Sequence, residues 1–255
     1  FDIENGEDIL DKNQLLKKIN KFNIKTIIHL AAVSDLNKFS EDCDLGNKIN
    51  IEGTNNIIEI CRLFNLRLLF ASTCCCYGNN NVHPSDENSI LNPTEPYAVS
   101  KKISEEFLLK ENFPFTIMRL ATFYGPGSRK ELAIFNFMDK ITKGEVVEIH
   151  GTGEQTRTYT HVDDIVGCVE TILKNEQKYQ IVNCTNTESV SVLKIIKDVE
   201  ELTGKKAICK FTKDRDGQII KEEISNYRIR DLGYNFQFNW KEGLKDMLDW
   251  YSQNN

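Results

Sequence analysis

Thr26-Ile27-Ile28-His29-Leu30-Ala31-Ala32 is a short apolar run rich in β-branched residues, with no polar alternation. Such a run fits a strand covered on both faces, and its neighbours decide whether it is one. Upstream, Asp11 to Asn23 carries Leu15, Leu16 and Ile19 at helical spacing with lysines between them, which predicts an amphipathic helix. Downstream, Asn50 to Leu63 reads as a helix with Ile51, Ile57, Ile58 and Ile60 apolar. Leu66 to Ala71 reads as a second buried strand and Phe115 to Leu120 as a third. Between them Glu95-Pro96 punctuates, and Tyr97 to Glu111 reads as a helix. Apolar strands alternating with amphipathic helices predict an α/β fold, a parallel sheet with helices on both faces.

Ligands of such sheets bind beyond the carboxyl ends of the strands. Ala31-Ala32, Ser72-Thr73 and Ala121-Thr122 stand at those ends. Small residues there offer a floor for a flat cofactor, and they suit tight turns equally well. After Gly125-Pro126-Gly127 the texture becomes more mixed. Helices are expected at Glu131–Thr142, Asp163–Lys174, Val192–Thr203 and Lys241–Tyr251, and strands at Val146–His150 and Gln180–Cys184. The expected organisation is a sheet domain over 1–125 and a smaller mixed α/β substrate lobe over 126–255, interleaved with it.

Composition narrows the function. A chain of 255 residues with 40% apolar and 27% charged content fits an ordinary globular protein. A net charge of -6 gives no reason to expect nucleic-acid or acidic-membrane binding. No apolar run approaches the roughly 18–20 residues of a membrane span. The first ten residues carry four acids, unlike a signal peptide. The eight cysteines lie mostly in apolar runs without a CxxC pair, so reduced thiols in a cytoplasmic protein are expected and a zinc site is not. Asp163-Asp164 with Glu170 reads as helix-dipole complement rather than a metal site. The chain does not begin with Met, and its first Met is Met118. A fragment, a processed chain or a trimmed chain is therefore expected.

Chemistry enters with Tyr97-Ala98-Val99-Ser100-Lys101. On a helix, positions i and i+4 share a face, so a phenol would lie beside an ammonium. The ammonium favours the phenolate and draws the tyrosine toward the working pH range. Such a tyrosine can take a proton from a hydroxyl. A solvated helix face is the alternative for the pair alone. Thr73, at a strand tip, adds a hydroxyl that can steady the reacting group.

The order of the pieces is more specific than any one of them. His29-Leu30-Ala31-Ala32 is followed by Asn50-Ile51-Glu52-Gly53-Thr54, Phe70-Ala71-Ser72-Thr73 and Tyr77-Gly78. Then come Pro96-Tyr97-Ala98-Val99-Ser100-Lys101, Arg119 with Tyr124-Gly125-Pro126, Gly151-Thr152-Gly153-Glu154-Gln155-Thr156-Arg157 and Val162-Asp163-Asp164. In this series the chain resembles the extended short-chain dehydrogenase/reductase family, and within it the nucleotide-sugar epimerases and dehydratases. The resemblance implies a Rossmann-like, doubly wound sheet, NAD as cofactor (NADP being the alternative), a nucleotide-diphosphate sugar as substrate and a homodimer through the helices Asn50–Leu63 and Tyr97–Glu111.

It also implies roles. Asp8 and Ile9 would meet the adenine, and Leu30, Ala31 and Ala32 would line the middle of the cofactor. Ser72, Tyr97 and Lys101 would complete its site. Thr73 and Tyr97 would act on the sugar hydroxyl. Thr122, Arg157 and Arg215 would bind substrate, the arginines through the planar fork that suits phosphate.

Several features depart from the family pattern. No glycine-rich dinucleotide turn occurs in the 255 residues. The chain is thus expected to lack a pyrophosphate site, to expose a sheet edge and to bind cofactor poorly. Thr122 stands where many relatives have Asn, and Thr158 where Asp is frequent. The sugar dehydratases have Asp-Glu in place of Cys74-Cys75, which disfavours dehydration here. Some 3,5-epimerases have a Cys in place of Cys75, where the thiol acts as acid or base. Simple packing of Cys75 is the alternative. These readings lead to a nucleotide-sugar epimerase acting at C4. A 3,5-epimerase or keto-sugar reductase using Cys75, and a non-catalytic protein that kept the fold, are the alternatives.

Overall fold

The computed structural model describes residues 1–80, 82–175, 178–214 and 217–254. In chain order its first half contains helix α1 (Lys12–Phe22), strand β1 (Thr26–His29), the short helices α2 (Leu36–Glu41) and α3 (Cys43–Asn47), α4 (Thr54–Phe64), β2 (Arg67–Thr73), α5 (Pro96–Leu108) and β3 (Phe115–Leu120). There follow β4 (Thr122–Tyr124), α6 (Ala133–Lys143), β5 (Val146–His150), β6 (Thr156–His161), α7 (Val162–Lys174) and β7 (Ile181–Cys184). The chain continues through β8 (Ser189–Ser191), α8 (Val192–Thr203), β9 (Ile208–Thr212), α9 (Tyr227–Asp231) and α10 (Trp240–Asn254). These elements form two compact units. The first comprises Phe1–Gly78, Ile90–Arg119 and Glu176–Val182. The second comprises Asn79–Ser89, Leu120–Asn175 and Asn183–Asn255.

In the first unit the sheet has the order β1-β2-β3-β7, with β1 and β2 parallel. Asp11 starts α1 by accepting from the Asn13 and Gln14 amides, and Asn23, in the left-handed conformation, ends it. Leu15 and Ile19 of α1 join Ile57, Ile58 and Cys61 of α4, Leu68 and Phe70 of β2, and Phe115 and Ile117 of β3 in one core. The β1 pairing stops at His29, opposite Phe70, so Leu30 to Ala32 lie beyond the strand. Just beyond them, the Asn50 carboxamide accepts from the Val33 amide at 2.8 Å and donates to its carbonyl at 3.1 Å. It supplies the pairing that the sheet no longer provides. The helix expected from Asn50 is preceded by a wide π-type turn at Lys48–Gly53. A side chain at Gly53 would place its Cβ 2.5 Å from Cδ1 of Ile9, so glycine there leaves room for Ile9.

The second unit holds a three-stranded sheet in the order β4-β6-β8 and a parallel pair of β5 and β9. Tyr124, Phe135, Met138, Val147, Ile149, Tyr159, Trp240 and Leu244 form its core. Buried carboxylates anchor the loop before α10. Asp164 accepts from the Tyr234 hydroxyl at 2.6 Å and the Gln237 amide at 2.8 Å, and Asp198 accepts from the Trp240 indole at 2.6 Å. Asp164 therefore serves α7 as a structural anchor. Among the described residues no helix is long and apolar enough to cross a membrane.

Candidate active site

The candidate reacting residues of the first unit begin where β2 runs out. Thr73 is the last residue of β2, and its Oγ1 accepts from the Cys75 amide at 3.2 Å, starting a tight turn over Cys74–Tyr77. That turn sorts the three adjacent cysteines. Cys74 is buried and its thiol donates to the Arg119 carbonyl at 3.3 Å. Cys76 is buried and donates to the Ala98 carbonyl at 3.4 Å, and burial pushes its thiol up to about 12. Cys75 alone of the three is half-exposed.

Helix α5 presents Tyr97 and Lys101. Pro96 opens it at a position where the missing amide costs nothing. Tyr97 is half-buried, edge-on to Phe39 with ring centroids 6.4 Å apart. Lys101 is 2% exposed. Its Nζ donates to the Ala71 carbonyl at 2.8 Å and sits 4.9 Å above the Phe70 ring. Burial lowers its pKa to about 8, while nearby Cys76 and Glu105 act in the opposite sense. The same burial, with Lys101 adding to it, holds His29 neutral at a pKa of about 3. The ring of His29 hydrogen-bonds Thr54 Oγ1 at 2.9 Å.

One turn past Lys101 lies a network that sequence reading missed. Glu105 is 1% exposed and accepts from Arg119 Nε at 3.2 Å and Nη2 at 2.7 Å. It also takes a short hydrogen bond from the Ser72 hydroxyl. Arg119 Nη1 donates to the Tyr77 hydroxyl at 2.9 Å. Burial opposes the charge of Arg119, but the Glu105 carboxylate outweighs it and raises the arginine's pKa. Asn50 adds a second tie, donating to Ser100 Oγ at 3.0 Å, while Ser104 Oγ donates to the Asn50 carbonyl at 3.0 Å. A signal was available: Glu105 continues the i, i+4 face of Tyr97 and Lys101, and Arg119 interrupts an apolar strand.

Asp8, Ile9, Leu30, Ala31 and Ala32 all line one cleft of about 830 Å³ in the first unit, together with His29 and Val33. Its size suits the nucleotide part of a dinucleotide. Leu30 is exposed, Ala31 is exposed and Ala32 half-exposed, so a flat ligand would meet small side chains and backbone there. Gly53 keeps room for Ile9 at its edge. These residues fit a nicotinamide dinucleotide. Ser72, Tyr97 and Lys101 lie at the end of β2 and on α5 and do not line this cleft.

The expected substrate residues belong to the second unit. Thr122 sits on β4 opposite Tyr159 of β6. Arg157 is on β6, where Nη1 donates to the Thr156 carbonyl at 2.9 Å and the Ile219 carbonyl at 2.6 Å. Next to it, Thr158 donates from its amide at 3.0 Å and its hydroxyl at 2.8 Å to the buried Glu222. Arg215 lies outside the described residues.

A family model described as the NAD-dependent epimerase/dehydratase family matches residues 5–185. A candidate UDP-glucose 4-epimerase of Methanocaldococcus jannaschii is 30% identical over 257 residues, covering 97% of this chain and 83% of that protein. The dTDP-D-glucose 4,6-dehydratase of Bos taurus is 28% identical, covering 97% of this chain and 73% of that one. Among solved structures, the UDP-glucuronic acid 4-epimerase of Bacillus cereus, in complex with UDP-glucuronic acid and NAD, superposes with a TM-score of 0.87 at 28% identity, covering 97% of this chain and 80% of that chain. The strand-end turn, the Tyr97 and Lys101 helix and the cleft around Ala31 agree with this match, and the chain belongs to the NAD-dependent epimerase/dehydratase family.

Proposed function

We propose that the chain is a nucleotide-sugar epimerase that inverts C4 of its substrate. The observation that carries this reading is Lys101: a buried ammonium held 2.8 Å from the Ala71 carbonyl, one helical turn from the half-buried Tyr97. In that place Tyr97 takes the proton of the C4 hydroxyl and later returns it. The Lys101 charge stabilises the phenolate. Thr73, whose Oγ1 already accepts from the Cys75 amide, keeps its own proton to donate to the sugar oxygen. NAD would be held by Asp8, Ile9, Leu30, Ala31 and Ala32 in their cleft, with Ser72 and Lys101 reaching it from the end of β2 and from α5 rather than from the cleft lining, and would supply the acceptor and donor of hydride. Arg157 and Arg215 hold the nucleotide diphosphate, and Thr122 the sugar. The C4 assignment is supported by 4-epimerases among the similar proteins, including those of Methanocaldococcus jannaschii and Bacillus cereus.

Cys74-Cys75, where the dehydratases carry Asp-Glu, weighs against dehydration. A second reading, 3,5-epimerisation or keto-sugar reduction, draws on the half-exposure of Cys75 at the same strand end. Homodimerisation is proposed through α4 and α5, which expose Leu63, Phe64, Val99 and Phe107. Free thiols throughout the described chain suit a reducing, cytoplasmic setting.

The test is to measure NAD binding by calorimetry, because weak binding is expected, then to incubate the protein at saturating NAD with a panel of UDP-, GDP- and dTDP-sugars and to follow the sugar by NMR. Interconversion at C4 without net reduction of NAD is the expected result. Accumulation of a 4-keto-6-deoxy sugar, or no conversion of any sugar, would overturn the proposal. Cys75→Ser decides the second reading, which requires turnover to collapse while C4 chemistry requires it to persist.

A further inference from the structure

Ser72 and Thr73 are neighbours on β2, so their side chains leave the strand on opposite faces. The Ser72 hydroxyl is committed to Glu105. At the far end of the following turn, the Tyr77 hydroxyl accepts from Arg119 Nη1 at 2.9 Å, and the guanidinium lies 5.0 Å from the centre of its ring. Between them the Cys74 thiol donates to the Arg119 carbonyl at 3.3 Å. Arg119 and Glu105 meet at 2.7 Å. These contacts close a ring that runs from Ser72 through Glu105 and Arg119 to Tyr77, and back along the chain past Thr73 and Cys75. Its members are almost free of solvent: Tyr77 is 2% exposed, Ser72 and Arg119 3% and Glu105 1%.

The ring encloses the segment that carries Thr73. Within that segment the bonds are local. Thr73 Oγ1 accepts from the Cys75 amide at 3.2 Å, and the Gly78 amide donates to the Cys75 carbonyl at 3.1 Å. They set the shape of the turn but not its place against α5. Lys101 fixes the start of the segment through the Ala71 carbonyl, and Cys76 reaches the Ala98 carbonyl with a thiol, a weak donor. Arg119 is the charged donor at the Tyr77 end, and charged donors make the stronger bonds. Its partner Glu105 stands on α5 with Tyr97 and Lys101. Placement matters because a reacting group displaced by about 1 Å can lose about a hundredfold in rate.

We propose that Tyr77 is a positioning residue: through Arg119 and Glu105 it holds the strand-end turn in register with α5, so that the Thr73 hydroxyl and the Tyr97 phenol address the same sugar oxygen. The inference rests on the reading of Thr73 as a donor to the sugar.

The test uses the whole chain at saturating NAD, with the sugar nucleotide found in the panel. Tyr77→Phe keeps the ring and removes the acceptor of Arg119. Single turnover should fall about tenfold while binding of the sugar nucleotide stays within about twofold. In a Thr73→Val background Tyr77→Phe should change turnover less than about twofold, because the group it positions is gone. Exchange of the Cys75 amide, read by NMR without substrate, should quicken about tenfold relative to that of Ile117 in the core of β3. Arg119→Lys keeps the charge but cannot hold Glu105 and Tyr77 together, and it should repeat these results should Tyr77→Phe fail to fold. Equal losses of turnover in both backgrounds would mark a general loosening and overturn this inference alone. Wild-type turnover in Thr73→Val would overturn the reading of Thr73 and this inference with it. Unchanged relative exchange at Cys75 would overturn the inference whichever sugar is converted.

Discussion

Two buried carboxylates, one in each unit, are handled in opposite ways. Glu105, on the same helix as Tyr97 and Lys101, faces the buried guanidinium of Arg119 at 2.7 Å. Glu222, behind Arg157, is equally buried but is held by the amide and hydroxyl of Thr158, both neutral donors. Burial raises the pKa of Glu222, and Arg157 together with the Thr158 bonds only partly offsets it. The first unit thus keeps a fixed ion pair on the helix of Tyr97 and Lys101, whereas the second keeps an acid that protonation relieves.

The largest expected effect comes from breaking the ion pair. Glu105→Gln leaves Arg119 buried without its counter-charge and should cost about 3–5 kcal/mol in denaturant unfolding. A loss below about 1 kcal/mol would show that water reaches the pair and that its burial has been overstated. Next comes removal of both charges. Glu105→Leu combined with Arg119→Met should recover most of that loss, because desolvation of the pair is then avoided as well. A double variant no more stable than Glu105→Gln would mean that Tyr77 and Ser72 depend on the charges as much as the charges depend on each other.

The smallest effect is expected at Glu222. Gln at this position can still accept from Thr158, so stability near neutral pH should change by about 1 kcal/mol or less. Its signature lies in the pH dependence. The folded pKa is raised above 4.5, so the stabilising contribution is present below that value and is lost as pH rises through the folded pKa. Glu222→Gln should remove that decline, as read from unfolding midpoints across the acid range. Lys101 gives the mirror case. Its folded pKa is lowered from 10.5 to about 8, so stability should rise with pH between those values, and Lys101→Met should flatten the rise.

The unequal treatment of these groups also explains what could be read from the sequence. Phe115–Leu120, Val146–His150 and Val192–Thr203 were legible to the residue, because local apolar spacing and local β-propensity decide them. Leu30 to Ala32 read as strand and are not: the sheet pairing stops at His29, and the next backbone tie comes from a distant side chain, Asn50, to Val33. Strand β6 went unread because Thr156-Arg157-Thr158-Tyr159-Thr160-His161 is polar; its burial depends on partners such as Glu222, far along the chain. The same division holds at the site. Tyr97 and Lys101 follow from one helical spacing, and the cleft around Ala31 from small residues at a strand end. Glu105 with Arg119 emerges only when distant segments meet.

The central claim is that Tyr97 carries the proton of the sugar hydroxyl, and Tyr97→Phe removes one oxygen while leaving the ring against Phe39. Single-turnover epimerisation of the substrate found in the panel, measured beside equilibrium binding of the same sugar nucleotide, tests it directly. Turnover should fall about a hundredfold to ten-thousandfold with binding retained. Turnover within about twofold of wild type would contradict the assignment of Tyr97 as the base.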